Sequence, residues 1–328
     1  MQSHQNNPIS HTVKPLILSD KEVRDLLPQL DVQQLMKSLF LALEENTAVQ
    51  PPQTLTSFPD NKGDYITYLG AMADEGVFGA KLSPYLITDK QPIITAWTNL
   101  MSMQTGQPLL WCEAGQLTIE RTAGTTALAI NYLAPEKSRH LALVGAGSVG
   151  LAHLRHAIGL REWQTITVYA PELNNDTVLQ AKLMTMDSRI HIAGSATDCV
   201  KEADVIMLCT SSALPVISLD DVKRSALITS ISTNAVNAHE VPPELLNKAD
   251  VYCDYKQTTP DSAGEMYLAA TQHGWDKSQI RGDLPNLIAG TCSLPDHDKP
   301  VFFRSIGLGL EDVAMAYGIW LLANQQQQ

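Results

Sequence analysis

The sequence predicts an α/β fold in which a doubly wound parallel sheet is inserted into an α+β region built from both chain ends. Short apolar runs alternate with helical patterns from about residue 139, whereas the pattern over residues 16–115 is mixed. The last helical pattern, residues 311–324, is apolar on nearly all sides, so we expect it to be buried against the first region. The predicted domains are residues 1–118 with 306–328, and residues 119–305.

Composition excludes several classes of protein. The 328 residues are 44% hydrophobic, which rules out global disorder, and 23 basic against 35 acidic residues give a net charge of −12. That charge disfavours a nucleic-acid partner. No apolar run is long enough to span a membrane, and residues 1–14 lack the apolar segment of a secretory signal. We therefore expect a cytoplasmic protein with no membrane partner.

The cysteine and histidine patterns predict no metal site and no disulfide. The five cysteines are scattered and never form a Cys-x-x-Cys pair, as expected for free thiols in a reducing compartment. His153 and His156 lie three residues apart on a predicted helix, but no third ligand is suggested, so we interpret them as surface residues. His239 is interpreted as a cap for the helix that follows it.

The first region reads as a helix followed by an antiparallel sheet. Asp31 can cap an amphipathic helix over residues 32–45. Four β-like runs follow, at residues 65–69, 77–82, 93–103 and 109–112. A Gly-Pro-containing turn at residues 105–108 separates the last two, which favours a hairpin.

The second region alternates buried strands with helices, which is the pattern of a parallel sheet covered on both faces. The predicted strands are residues 140–144, 166–170, 190–193, 204–210, 226–232 and 250–255. The predicted helices are residues 149–160, 177–186 and 197–203.

A glycine-rich turn lies at the first strand–helix junction of this series. Gly145, Gly147 and Gly150 form a Gly-x-Gly-x-x-Gly pattern, with Ala146, Ser148 and Val149 between them. The first glycine permits a tight turn, the second lets a pyrophosphate approach the backbone, and the third lets the helix pack closely on the strand. A glycine turn without a ligand is the alternative. We predict a Rossmann-type dinucleotide site, with Thr210 and Ser211 at the carboxyl edge as further cofactor contacts.

The choice between NADH and NADPH stays open. An acid that binds the ribose 2′-hydroxyl is expected at the end of the second strand, but that position is Ala170, and Glu172 follows two residues later. No arginine follows that could bind a 2′-phosphate. We predict dual or weak selectivity.

Four segments together resemble the ornithine cyclodeaminase/mu-crystallin family, in matching order and spacing. They are residues 79–82, 121–129, 145–150 and 305–312. The resemblance implies a homodimer with an inserted dinucleotide domain and a substrate and dimerisation domain. The family includes cyclodeaminases, alanine dehydrogenases, ketimine reductases and a non-enzymatic lens crystallin.

The resemblance also implies roles for individual residues. Lys81 and Arg121 match family residues that bind the substrate carboxylate, and Thr122 matches one that contacts the cofactor phosphate. From the residues alone, Lys81 could be a solvated lysine at a sheet edge, and Arg121 could form a salt bridge with Glu120. Asp312 also matches a family aspartate. We interpret it as a structural residue at the start of the last helix at least as readily as a residue of the site.

Two departures from the family pattern decide the predicted branch. Gln53 stands where the family commonly has an arginine, so it can contact substrate but brings no charge. Asn234 stands where cyclodeaminases carry an acid that serves as a base, and an amide cannot accept a proton at neutral pH. Reduction of a preformed imine needs no such base, so the sequence favours reduction over deamination, with Asn234 as a hydrogen-bonding group toward substrate or cofactor.

The segments around Gln53, Lys81 and Asn234 look most like bacterial Δ1-pyrroline-2-carboxylate reductases. The predicted reaction is NAD(P)H-dependent reduction of this cyclic imine to L-proline, with the six-membered piperideine analogue, which would give L-pipecolate, as a further candidate substrate. Such enzymes often act in hydroxyproline breakdown. The alternatives are an ornithine cyclodeaminase, an alanine dehydrogenase, or a non-catalytic NADPH-binding protein.

Overall fold

The computed structural model describes residues 14–232 and 237–326, in which two eight-stranded sheets are formed. The first sheet is antiparallel apart from one parallel pair, β1 with β8, and its path is β1-β8-β7-β5-β4-β2, with β3 on β4 and β6 on β5. Its strands are β1 Leu16–Leu18, β2 Ala48–Val49, β3 Thr54–Ser57, β4 Gly63–Met72, β5 Val77–Leu86, β6 Ile93–Ile94, β7 Trp97–Ser102 and β8 Pro108–Glu113.

The second sheet is entirely parallel, as predicted, and its order is β11-β10-β9-β12-β13-β16-β14-β15. Its strands are β9 His140–Val144, β10 Thr165–Tyr169, β11 Ile190–Ile192, β12 Val205–Leu208, β13 Leu227–Ser230, β14 Asp250–Cys253, β15 Ile280–Asp283 and β16 Val301–Arg304. The order reverses at β9, which lies between β10 and β12. A crevice at the carboxyl edge of such a reversal is where doubly wound folds bind ligands.

Helices pack on both sheets. They are α1 Asp20–Leu26, α2 Val32–Glu44, α3 Gly115–Leu133, α4 Ser148–Ala157, α5 Thr177–Met186, α6 Ala196–Val200, α7 Thr259–Ser262, α8 Gly264–Gln272, α9 Leu284–Ala289 and α10 Gly309–Gln325. Asp31 caps α2 as predicted, because its carboxylate accepts a hydrogen bond from the Gln34 amide. Among the described residues, no helix is long and apolar enough to cross a membrane.

Helix α10 returns the chain from the second sheet to the first. It follows β16 directly and contacts β4, β5 and β7, and most of its residues are buried, as its apolar pattern predicts. Helix α3 contacts both α2 of the first region and α4 of the second. The predicted domain boundaries stay predictions, and one of them, between residues 118 and 119, falls inside α3.

The strand predictions need correction at residues 93–103 and at five strands that were not predicted, β1, β2, β3, β15 and β16. Residues 93–103 form two strands, β6 and β7, because Pro84 on the neighbouring β5 has no N–H with which to continue the ladder. Strands β15 and β16 were not predicted, because their apolar runs are only a few residues long and lie between prolines and charged residues.

Candidate active site

The glycine-rich turn adopts the predicted strand–turn–helix geometry. Gly145 has φ of 100°, a conformation that favours glycine, and it follows β9 directly. A Cβ at Gly150 would lie 2.0 Å from the Gly145 carbonyl oxygen, so only glycine allows α4 to approach the turn this closely. Around Gly147, by contrast, an added Cβ would meet nothing within 4 Å. Gly145 and Gly150 therefore serve packing, while Gly147 faces open space.

These contacts predict a large effect of one added methyl group. We expect Gly150→Ala to weaken NAD(P)H binding and to lower stability by about 1–3 kcal/mol, because the clash is with backbone rather than a movable side chain. Gly159→Ala, where an added Cβ meets nothing within 4 Å, is the matched control and should bind cofactor normally. Thermal melting and fluorescence titration measure both effects. Equal behaviour of the two variants would contradict this interpretation.

A cavity of about 860 Å³ lies beside the turn at the carboxyl edge of the parallel sheet. It brings together six of the predicted cofactor residues: Gly145, Gly147, Ser148, Val149, Thr210 and Ser211. Ala146, Gly150, Ala170 and Glu172 are not among its lining residues, which include instead their neighbours Tyr169 and Pro171.

The donors around this cavity fit a dinucleotide. No side chain caps the start of α4, so the first amides of that helix are available to a phosphate. The Ser232 hydroxyl, also at the cavity, is buried without a hydrogen-bond partner among the described residues. Both observations are those expected where a polar ligand completes the site.

Glu240 links two chain segments at the cavity, and the sequence analysis did not identify it as a site residue. Its carboxylate is fully buried and accepts hydrogen bonds from the Thr210 amide at 2.6 Å, the Ser230 hydroxyl at 2.7 Å and the Ser232 amide at 2.9 Å. It thereby ties the chain after β12 to the chain after β13. Asn234 lies outside the described residues, so its predicted role stays a prediction.

Lys81 is buried, so the interpretation as a solvated edge lysine is wrong. It lies on β5 with 1% of its surface exposed. Its Nζ is 2.9 Å from Asp312 Oδ2, donates a hydrogen bond to Thr118 Oγ1 at 3.3 Å and lies 4.2 Å from the centroid of the Tyr68 ring. Burial lowers the pKa of Lys81 from 10.5 to about 8, although Asp312 opposes this shift.

Arg121 lies in the middle of α3 and points toward the start of α10. Its Nε donates to Asp312 Oδ1 at 3.2 Å and its Nη1 donates to Glu311 Oε2 at 2.8 Å. Burial alone would lower the pKa of Arg121, but the two carboxylates raise it above its ordinary value. Gly307 makes room for the guanidinium, since a Cβ there would lie 2.2 Å from Nη1.

The alternative prediction, a salt bridge between Arg121 and Glu120, is wrong. Glu120 faces the other way on α3 and pairs with Arg155 and with His156, whose Nε2 lies 3.0 Å away. His153 is not a surface residue either. It is buried and contacts Thr126 Oγ1 at 2.9 Å and the Val149 carbonyl at 2.8 Å, and burial lowers its pKa to about 4.

Two carboxylates complete a buried cluster of four charged side chains: Lys81, Arg121, Glu311 and Asp312. Glu311 accepts hydrogen bonds from the Thr125 hydroxyl at 2.6 Å and, besides Arg121, from the Leu308 amide at 3.1 Å. Burial raises the pKa of Glu311 to about 7, although the Arg121 charge opposes the shift. Asp312 bonds both cations, so it does more than begin a helix. A substrate carboxylate must enter a site where each cation already has a partner.

Two further predicted residues, Thr122 and Gln53, lie close to the elements that carry this cluster. Thr122 is on α3 and its hydroxyl donates to the Thr118 carbonyl at 2.7 Å. Gln53 directly precedes β3, which pairs with β4 and so brings Gln53 beside Tyr68. Its Oε1 and the Thr98 hydroxyl are buried and have no hydrogen-bond partner among the described residues. The interpretation of His239 as a cap for the following helix is wrong, because its Nδ1 lies 2.7 Å from the Asn237 carbonyl and no side chain caps the short helix at Pro243–Asn247.

Comparison with known proteins decides the family. The model of the ornithine cyclodeaminase/mu-crystallin family matches residues 13–325. The chain belongs to this family. A 53% identical relative, over 94% of this chain and 97% of its own, is the NAD(P)H-dependent anabolic L-arginine dehydrogenase DauB of Pseudomonas aeruginosa. A Δ1-pyrroline-2-carboxylate reductase of Bacillus cereus is 22% identical over 92% of this chain and 94% of its own.

Solved structures of this family share the fold. A probable ornithine cyclodeaminase from Bordetella pertussis superposes with a TM-score of 0.86 at 26% identity, covering 96% of this chain and 98% of that one. The family includes oxidoreductases, and the 53% identical relative is NAD(P)H-dependent, in agreement with the predicted cofactor. NAD(P)H-dependent imine reduction is supported at family level, while the relatives differ in substrate.

Proposed function

We propose that this protein is an NAD(P)H-dependent dehydrogenase that forms L-arginine by reducing the imine of the corresponding guanidino 2-oxo acid. The observation that supports it most is the 53% identity to an anabolic L-arginine dehydrogenase across nearly the whole of both chains. The structure offers the groups that such a reaction needs: a dinucleotide crevice and a pair of buried cations.

The chain's own residues would orient the substrate and move a proton. Arg121 is the better partner for the α-carboxylate, because its planar fork has further N–H groups besides those bonded to Glu311 and Asp312. Lys81 is the candidate proton donor, because its lowered pKa of about 8 lets the ammonium give up a proton near neutral pH. The bound nicotinamide supplies the hydride.

A proton donor has a specific use when the imine forms from a 2-oxo acid and ammonia. Ammonia adds to the carbonyl carbon, and the hydroxyl group then leaves as water after accepting one proton. Lys81 would provide that proton and regain it from solvent. This route differs from reduction of a preformed cyclic imine, which needs no group to create the C=N bond.

The decisive assay follows nicotinamide absorbance with purified protein, ammonium and the guanidino 2-oxo acid, beside Δ1-pyrroline-2-carboxylate. We expect kcat/KM for the guanidino acid to be at least about tenfold higher than for the cyclic imine, since a hydrogen bond to the charged guanidinium contributes about 1.5–3 kcal/mol. Turnover of the cyclic imine alone would overturn the arginine proposal.

Reduction of Δ1-pyrroline-2-carboxylate to L-proline is the second candidate. The relative from Bacillus cereus supports it, as does Asn234 at the position of the cyclodeaminase acid. Both candidate substrates carry a carboxylate beside a C=N carbon, so Lys81 and Arg121 would serve either. The six-membered analogue remains part of this second candidate.

A homodimer is part of the proposed function. The face of the first sheet opposite Lys81 exposes Leu69, Phe78 and Leu82, and stacks Trp97 on Trp111 with ring centroids 6.1 Å apart. An apolar patch of this kind marks an interaction surface. A solved neighbour is described as an alanine dehydrogenase dimer. We therefore assign this face to a second copy of the chain.

Disruption of this face is expected to release monomers. Leu82→Lys places a charge at the centre of the patch, so light scattering after gel filtration should show half the wild-type mass. Leu294→Lys, at an exposed leucine of the other region, is the control and should keep the wild-type mass. A monomeric wild type, or a dimeric Leu82→Lys variant, would contradict the assignment.

A further inference from the structure

The sheet face that bears Lys81 extends beyond the part that α10 covers. Helix α10 begins against β4, since a Cβ at Gly309 would meet the Leu69 backbone and one at Gly70 would meet Leu310. Its next turn covers Gly79, where an added Cβ would lie 3.4 Å from Val313. The helix therefore runs away from the opposite end of β4, and leaves that end of the face uncovered by α10.

Three cross-strand pairs line this face in order. The pair Tyr68–Lys81 lies at the charged cluster, Ile66–Ser83 comes next, and Asp64–Tyr85 lies furthest out. Directly paired residues of antiparallel strands, and residues two positions apart, share a face. Ile66, Ser83 and Asp64 are partly buried and Tyr85 is exposed. The chemistry along the face thus changes from cationic through aliphatic to acidic and aromatic.

Asp64 is the unusual member of this row. Within residues 14–232 and 237–326 its carboxylate has no ion-pair or hydrogen-bond partner, although the side chain is partly buried. The Tyr85 ring is its direct cross-strand neighbour. A carboxylate accepts two parallel N–H groups from a guanidinium, and an aromatic face attracts the same planar cation.

The distance between the charged cluster and Asp64 suits a substrate that is bound at both ends. Asp64 and Tyr68 are four residues apart on β4, which is roughly 13 Å along the strand. The Asp64 side chain stands roughly perpendicular to the sheet, so only a hydrogen bond at each end, about 6 Å in all, is taken from that length. The remainder corresponds to an extended chain with a carboxylate at one end and a guanidinium at the other, with its methylene groups over Ile66.

We propose that Asp64, with the Tyr85 ring, forms the subsite for the cationic end of the substrate and sets the preference for a guanidino acid. This inference rests on the proposed function. Asp64 is a specificity residue that acts at a distance from the reacting carbon, so its loss should raise KM far more than it lowers kcat.

The test compares two substrates of nearly equal shape. One is the guanidino 2-oxo acid, and the other is its ureido analogue, in which an uncharged oxygen replaces one nitrogen. We expect the wild type to prefer the guanidino acid. In Asp64→Asn, kcat/KM for the guanidino acid should fall roughly 10- to 100-fold, mainly through KM, while the value for the ureido acid changes less than about threefold.

The control is Asp74→Asn, an exposed aspartate in the turn between β4 and β5, which should behave as wild type with both substrates. If the wild type reduces the guanidino acid and Asp64→Asn keeps the full preference for it, the subsite is wrong and the proposed function stands. If the wild type does not reduce the guanidino acid, both are overturned. Thermal melting of each variant verifies that it is folded.

Discussion

Arg121→Lys is expected to lower kcat/KM for the 2-oxo acid substrate roughly 10- to 100-fold, with NAD(P)H affinity unchanged. The substitution keeps a positive charge beside Glu311 and Asp312, so the buried cluster stays near neutral. It removes the planar fork that can bind a carboxylate while bonded to both acids. Steady-state kinetics and cofactor fluorescence titration measure the two quantities.

Arg155→Lys is the matched control for this change. Arg155 is nearly half exposed, lies on α4 and pairs with Glu120, the residue beside Arg121 on α3. We expect near wild-type kinetics, because an exposed ion pair contributes little. Unchanged kinetics in Arg121→Lys would remove the guanidinium from substrate binding.

Lys81→Met should lower kcat about 100-fold or more and leave cofactor affinity unchanged, because it removes a cation and a proton donor from the site. The wild-type pH profile carries a separate signature. The pKa of Lys81 is lowered from 10.5 to about 8, so the ammonium form dominates below pH 8 and is lost above it. Reduction should therefore decline as pH rises through about 8.

The Lys81→Arg variant distinguishes the two roles proposed for Lys81, its positive charge and its donation of a proton. Arginine stays protonated across this range, so the variant should lose the alkaline decline whether or not its kcat is low. The groups that face Lys81 are Tyr68 of β4, Thr118 and Arg121 of α3, and Glu311 and Asp312 of α10. A decline near pH 8 that persists in Lys81→Arg would assign it to another group.

The parallel sheet and the glycine turn could be predicted because their signals are local. Apolar runs and helical spacing occur within a few residues, and the glycines of the turn act on one another across five positions. The placement of Thr210 and Ser211 after β12, at the carboxyl edge of the sheet, also followed from the alternation of strands and helices. Pro84, by contrast, interrupts the pairing of a different strand, so the break between β6 and β7 was invisible in residues 93–103.

The charged cluster could not be assembled from sequence, because its partners are distant along the chain. Arg121 and Glu311 are 190 residues apart, and the adjacent Glu120 looked like the nearer partner. The direction in which each side chain of α3 points decides between them. The family resemblance found both cations but not their pairing with Glu311 and Asp312. One signal was present: two acids begin an otherwise apolar, buried helix.

Substrate identity was the weakest sequence inference for a related reason. The role proposed for Lys81 and Arg121 is to bind a carboxylate, which cyclic imino acids and guanidino acids share. The discriminating group lies at the other end of the substrate. Asp64 carries no motif, and its relation to Lys81 depends on the register of β4 and β5. The 53% identity to an L-arginine dehydrogenase favours arginine over a cyclic imino acid as the proposed product.

The buried cations Lys81 and Arg121 are proposed to orient the substrate by its carboxylate. A crystal structure with NADP⁺ and L-arginine tests it most directly. We expect the Arg121 guanidinium within hydrogen-bond distance of the α-carboxylate, Lys81 Nζ near the α-nitrogen, and the α-carbon against the nicotinamide ring. An α-carboxylate bound elsewhere, with Arg121 and Lys81 still bonded only to Glu311 and Asp312, would contradict the account.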